Sequence, residues 1–204
     1  MSAVATSAGV FLPHVSSDVL LAKSVRGTVI HGSLSSLRKR GYAERYQLLL
    51  DPRHRQAIAE LAAASWLPIE VAIAHYRACD ALNLGRVTIE EIGRETGLFV
   101  NQVVLSLVSR VSREAGATPW LPLSQAHKFL SRTWVGSSIA VYEIGPKEAR
   151  LEWVQLPIAT IPYARVAIGG FLGGIGGLFT TAMYVKDLAP TTTRPILTYK
   201  MSWV

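Results

Sequence analysis

The sequence predicts an α+β fold, an N-terminal helical region packed with a C-terminal antiparallel sheet. Three observations predict it. Between residues 33 and 135 apolar side chains recur at the three- and four-residue spacing of amphipathic helices. From Gly136 onward short runs alternate apolar and polar side chains, as half-buried strands do. Between two pairs of these runs lies IPYARVAIGGFLGGIGGLFTTAMY, residues 161–184, with Arg165 as its one charge and six glycines between 169 and 177. The tail therefore reads strand, strand, helix, strand, strand, a sheet covered by a helix. Residues 1–21 read as a flexible N-terminal arm. Residues 22–204 read as a single domain, with its helical part at 33–135 and its sheet part at 136–204.

Taken in order, SVRGTVIHG (24–32) sets β-branched residues between glycines and predicts a strand. Ser33 then caps SLSSLRKR, which stops at Gly41. Arg38, Lys39 and Arg40 fall in its last turn, where cations suit the helix dipole. Residues 43–50 predict a second helix. Asp51 and Pro52 open a third over 53–65 with cap and first-turn chemistry. Pro68 opens a fourth, with Val71, Ala74, Ala78 and Leu82 on one face and Gly85 as its breaker. Thr88 caps IEEIGRETG with Glu91 as its capping-box partner. Gly97 makes a turn, and 99–114 predicts a further helix with a wide apolar face. GATPWLP (116–122) is a loop before the helical QAHKFLSRTW. SSIAVYEI and ARLEWVQL are strands joined by a hairpin at 145–148, with Leu151 and Trp153 on one face. MYVKDL and PILTYKMSWV form the second pair, with Leu197, Tyr199, Met201 and Trp203 on one face.

Bulk composition bounds the partners. A chain of 204 residues, 50% hydrophobic and 17% charged, buries a core without staples and is not disordered. Cys79 is the one cysteine, so an intramolecular disulfide and a thiolate metal cluster are excluded, and a reducing, cytoplasmic compartment is favoured. The first twenty residues lack the basic and apolar regions of a signal peptide. The net charge is +7, densest over 21–55. Arg38, Lys39 and Arg40 make a candidate basic patch for phosphate or an acidic partner. A solvated face is the commoner meaning of such a run, so nucleic acid is a disfavoured partner.

Three readings compete for 161–184. Its uncharged run meets the length test for a membrane span, and its glycines make small-xxx-small pairs. The flanking strands argue instead for a helix packed closely on a sheet, which is favoured over the span and over a wall of a ligand pocket. No phosphate-loop or dinucleotide spacing is present. His75 and Cys79 share a helix face, but two ligands fall short of a zinc site. Glu90, Glu91 and Glu95 read as solvated ion-pair partners, and no catalytic set is assigned. Residues 88–111 resemble a helix-turn-helix unit, with Asn101 and Gln102 facing out, although the apolar run behind them favours a core helix pair. The five tryptophans are core anchors or walls of one apolar cavity.

VRGTVIHGSLSSL, then LPIEVAIAHYRACDAL followed by TIEEIGRETG, then IPYARVAIGGFLGGIGG before YKMSW, together resemble a myxobacterial paralogous family, a domain of unknown function of similar length. The resemblance covers residues 22–204. It implies no activity and no catalytic residues. Its layout is distantly similar to haem-nitric oxide and vinyl-reductase-like ligand-binding domains, which are α+β sensory modules. The haem-binding version of those domains uses an axial histidine and a Tyr-x-Ser-x-Arg clamp for the propionates. This chain contains no such triplet, and no cofactor is predicted.

The expectation is a non-catalytic sensory or regulatory module for an apolar small molecule or a protein partner, with a ligand pocket formed by Trp153, Tyr163, Gly169, Gly173 and Trp203. One rival is a structural scaffold that self-associates through the glycine-rich segment. The other is a DNA-binding regulator working through 88–111.

Overall fold

The computed structural model describes residues 9–10, 19–100 and 118–204. An N-terminal set of helices packs against a C-terminal antiparallel sheet, as the sequence predicts. The helices in the first half are α1 (Gly27–Lys39), α2 (Ala43–Leu49), α3 (Arg55–Ala59), α4 (Ile69–Ala81) and α5 (Arg86–Val100). Short α6 (Trp120–Ser124) and α7 (Ala126–Thr133) lead into the second half, which holds α8 (Pro162–Gly176). No helix among the described residues is long and apolar enough to cross a membrane.

The main sheet has the order β1-β5-β6-β8-β7 and is antiparallel throughout. Its strands are β1 (Gly9–Val10), β5 (Ser138–Gly145), β6 (Glu148–Val154), β7 (Met183–Asp187) and β8 (Ile196–Trp203). The alternation in the sequence sets the register. Leu151 pairs with Tyr199, Trp153 with Leu197 and Ala149 with Met201, and all six side chains are buried on the face that carries α8. Each buried Leu here contributes about 2 kcal/mol of transfer free energy. Gly136 opens this half at φ +84, a conformation that suits glycine, and a Cβ there would meet the Leu21 carbonyl oxygen at 2.5 Å. A second, three-stranded sheet of β3 (Trp66–Pro68), β2 (Ser24–Arg26) and β4 (Trp134–Val135) ties the two halves together.

Several local expectations are corrected. The strand expected over 24–32 stops at Arg26, and Gly27 begins α1. Val29, Ile30, Ser33 and Leu37 are buried at helical spacing, so packing against α5 overrides the β-branched propensity of this run. Ser33 is therefore inside a helix and caps nothing. The third helix ends at Ala59. Thr88 lies within α5, and Gly97 makes no turn, because α5 runs through it to Val100. Residues 120–122, expected as loop, lie in a short helix that runs to Ser124.

The continuity of α5 follows from its partner. Gly93 and Gly97 of α5 meet Gly170 and Gly174 of α8 backbone to backbone. A Cβ at Gly93 would run into the Ala167 carbonyl oxygen, and one at Gly170 into that of Glu90. At Gly97 and Gly174 it would lie 2.7 Å from the carbonyl oxygens of Phe171 and Arg94. α5 thus covers one side of the glycine-rich segment and the sheet covers another. Tyr199 Oη donates to the Arg165 carbonyl at 2.6 Å, fixing α8 on the sheet. Gly170 and Gly174 of α8 are thus engaged by α5 within the chain, whereas Gly169 and Gly173 are not.

Arg165, 3% exposed, is a tie rather than a free charge. Its Nε and one terminal nitrogen each donate at 2.7 Å to the Asp187 carboxylate, and the other terminal nitrogen donates to the Ala159 and Ile196 carbonyls at 2.9 and 3.0 Å. Breaking a buried pair strands the remaining charge, so Arg165→Met should cost about 3–5 kcal/mol in urea unfolding. Gly93→Ala and Gly170→Ala should each cost about 1–3 kcal/mol through overpacking. Gly169→Ala should instead hold or raise stability by up to about 1 kcal/mol, because its Cβ would sit 3.6 Å from Tyr199 in ordinary contact.

Candidate functional site

A cavity of about 480 Å³ lies where the helical half meets the sheet. α7 forms one wall with Ala126, Phe129 and Leu130. The sheet forms another with Ile139, Leu151, Trp153 and Met201. Phe171, Leu172 and Ile175 of α8 close a third side, and Val100 and Pro119 stand at one end. The α8 residues that face it sit on a different side of the helix from Gly170 and Gly174, so the same helix packs on α5 and lines the cavity. Gln125, Lys128 and Arg132 supply the polar lining among the described residues. Phe129 and Phe171 touch across the space, with ring centroids 5.6 Å apart.

The expected pocket residues separate. Trp153 is buried at the cavity wall, its ring edge-on to Trp134 at 5.5 Å and its Nε1 donating to Ser137 Oγ at 3.0 Å. Trp203 packs edge-on against Trp120 at 4.8 Å and is not among the lining residues of this cavity. Gly169 and Gly173 lie on another face of α8. They floor a second cleft of about 390 Å³, whose rim carries Arg86, Glu90, Arg94 and Lys186. Tyr163 lies deep between α4 and α8, buried, with its ring 6.3 Å from that of Tyr76. Burial, with the Cys79 thiol and Tyr76 beside it, pushes the Tyr163 phenol well above its usual range. The basic triplet separates too: Arg40 pairs with Glu95 at 2.6 Å and Glu91 at 3.1 Å, while Arg38 and Lys39 stay exposed. The helix-turn-helix reading lacks its turn in α5, and its remaining residues, 101–111, lie outside the described ones.

A polar cluster that sequence reasoning left as separate residues sits in the helical core. His75 Nδ1 is 2.9 Å from Tyr46 Oη, and Nε2 is 3.0 Å from Ser33 Oγ. A neutral imidazole has one donor and one acceptor nitrogen, so both hydroxyls satisfy it without a proton being added. Cys79 Sγ lies 3.7 Å from the ring, and burial drives its thiol above the ordinary range. A buried thiol of this kind is inert. The spacing of His75 and Cys79 was visible in the sequence. Ser33 and Tyr46 were not, because α1 and α2 bring them in from elsewhere.

No family model matches the chain, and no curated protein matches it in sequence. Solved structures do match in fold. An H-NOX family protein studied for haem distortion has a TM-score of 0.60 at 11% identity, over 87% of this chain and 94% of that one. The Fe(II) unliganded H-NOX protein from K. algicida has 0.59 at 6% identity, over 88% and 96%. An oxygen-binding H-NOX domain related to soluble guanylate cyclases has 0.55 at 11% identity, over 87% and 94%. These likenesses show a shared fold.

The described residues that line this cavity do not fit a haem. Haem iron takes His, Cys, Tyr or a Met paired with His. Among the described residues the cavity is lined by none of the first three. Met183 and Met201 are there, unmatched by a histidine. His127, between the lining residues Ala126 and Lys128, is exposed, and His75 spends both nitrogens in the core. A flat macrocycle would also have to part Phe129 from Phe171. Nor do the described residues hold a cluster of three or more metal-ligating His, Cys, Asp or Glu side chains.

Burial holds the His75 ring to about 3, against 6.5 when it is unfolded. Protonation therefore favours the unfolded chain. The stability tied to this neutral ring is complete above about pH 6.5 and falls as pH drops toward 3, by about 1.4 kcal/mol per unit. Urea unfolding against pH should show that added slope in the native protein, and His75→Gln should flatten it.

Proposed function

We propose that this chain is a non-catalytic sensory or regulatory module that binds an apolar small molecule in the cavity between α7, α8 and the main sheet. The carrying observation is the cavity itself. Its volume lies within the range of small-molecule pockets, and its walls are apolar apart from one helix. The likeness in fold to an oxygen-binding H-NOX domain supports a small-molecule role, with the haem omitted because the ligating residues are wrong. A ligand seated there touches α7, α8 and four strands of the sheet at once. It would favour one packing of the two halves and pass that shift to a protein partner. Membership of the myxobacterial paralogous family and a cytoplasmic setting belong to the same proposal, carried by the motif order and the lone, buried Cys79.

Two measurements test it. Native mass spectrometry of freshly purified protein should find a retained small molecule. Titration with the neutral dye Nile red should show saturable emission, and Ile175→Trp, which fills the cavity from α8, should weaken it by about tenfold or more. Unsaturable emission, or binding indifferent to Ile175→Trp, would sink the proposal.

A further inference from the structure

The cavity has a polar side, and that side has one sign. Lys128 and Arg132 are four residues apart on α7, and Gln125 lies one turn before Lys128, so all three share a helix face. The other described lining residues are apolar side chains, prolines or glycine, and no carboxylate is among them. Neither cation takes part in an ion pair among the described residues. Arg132 also suits the last turn of α7 through the helix dipole, but Lys128 in the first turn sits where a cation is disfavoured. Two cations with no ion pair among the described residues, beside a cavity whose opposite walls are Leu151, Trp153, Phe171 and Met201, describe a site with one charged edge and an apolar interior.

We infer that the occupant is an amphipathic anion, a long-chain carboxylate or a lipid of similar shape. Its head meets Lys128 and Arg132, and its chain runs against the sheet and α8. This rests on the proposed ligand-binding function and adds the sign and shape of the ligand. Arg132 is suited to a carboxylate because its planar fork donates two parallel hydrogen bonds, with Lys128 adding a second positive charge. A flexible chain also suits a space across which Phe129 and Phe171 meet, because it can pass beside the rings without parting them.

The test is calorimetric titration, below the micellar limit, with dodecanoate, 1-dodecanol and dodecyltrimethylammonium. Dodecanoate should bind at least about tenfold more tightly than the alcohol, and the cationic amphiphile most weakly. Lys128→Ala with Arg132→Ala should bring dodecanoate down to the affinity of the alcohol and leave the alcohol unchanged. Both side chains are exposed, and an unaltered urea midpoint would confirm that the fold is kept. Equal binding of acid and alcohol to the native protein, or acid binding untouched in the double variant, would overturn the anionic head group while leaving the apolar cavity standing. Binding of none of the three would overturn both.

Discussion

The contact between α5 and α8 at the level of their backbones is the constraint on which the other packing depends. A glycine pair on each helix removes the side chains that would hold the axes apart, and the carbonyl oxygens of Glu90, Arg94, Ala167 and Phe171 take the vacated space. Small-xxx-small spacing does the same between membrane helices, where close approach replaces the hydrophobic effect as the source of attraction. Here no described helix is long and apolar enough to cross a membrane, and the gain is positional. With α8 set against α5 and laid over β6, β7 and β8, the helical half and the sheet hold one relative placement. Arg165, Asp187 and Tyr199 then fix α8 to the sheet from below.

That placement also makes the cavity. α8 has three kinds of side. One is bare backbone for α5, one rests on the sheet, and one carries Phe171, Leu172 and Ile175 toward α7. Because α5 and α8 are so close, the sheet can touch only part of the helical layer. Among the described residues the remainder is left to α7, whose short length fills little of it. The likeness to H-NOX structures is a likeness in fold alone. The function of a shared fold lies in its lining residues and not in the fold. The neutral, fully bonded His75 supports the same division: it organises the helical core, distant in role from any ligand.

The sheet was legible in the sequence where a strand has one wet and one dry face, as β6 and β8 do. Leu197, Tyr199, Met201 and Trp203 alternate without error, and every one is buried. The helices were legible where their apolar stripe is regular, as in α4. They were misread where a residue serves a distant neighbour. Val29 and Ile30 look like strand until α5 is placed beside them. Gly97 looks like a turn until the Phe171 carbonyl is placed against it. The glycines of 169–177 showed that something approaches closely without saying what. Gly170 and Gly174 meet a helix, while Gly169 and Gly173 floor a cleft, and adjacent positions in one run therefore mean different things. The cavity was the least legible part, since Val100, Phe129, Leu151 and Phe171 come from four elements. Trp153 alone of its expected residues lies on its wall.

The order in which the chain is synthesised gives the α5–α8 contact a further meaning. α5 emerges from the ribosome well before α8, and the strands β5 and β6 come between them. Contacts so distant in sequence form late, after the cost of closing the intervening loop has been met. Until then Gly93 and Gly97 present a narrow strip of bare backbone with no partner in the same molecule. A chain interrupted before Pro162 would carry that strip permanently, open to α8 of another copy. Completion of the C-terminal third is therefore what makes the N-terminal helices self-sufficient.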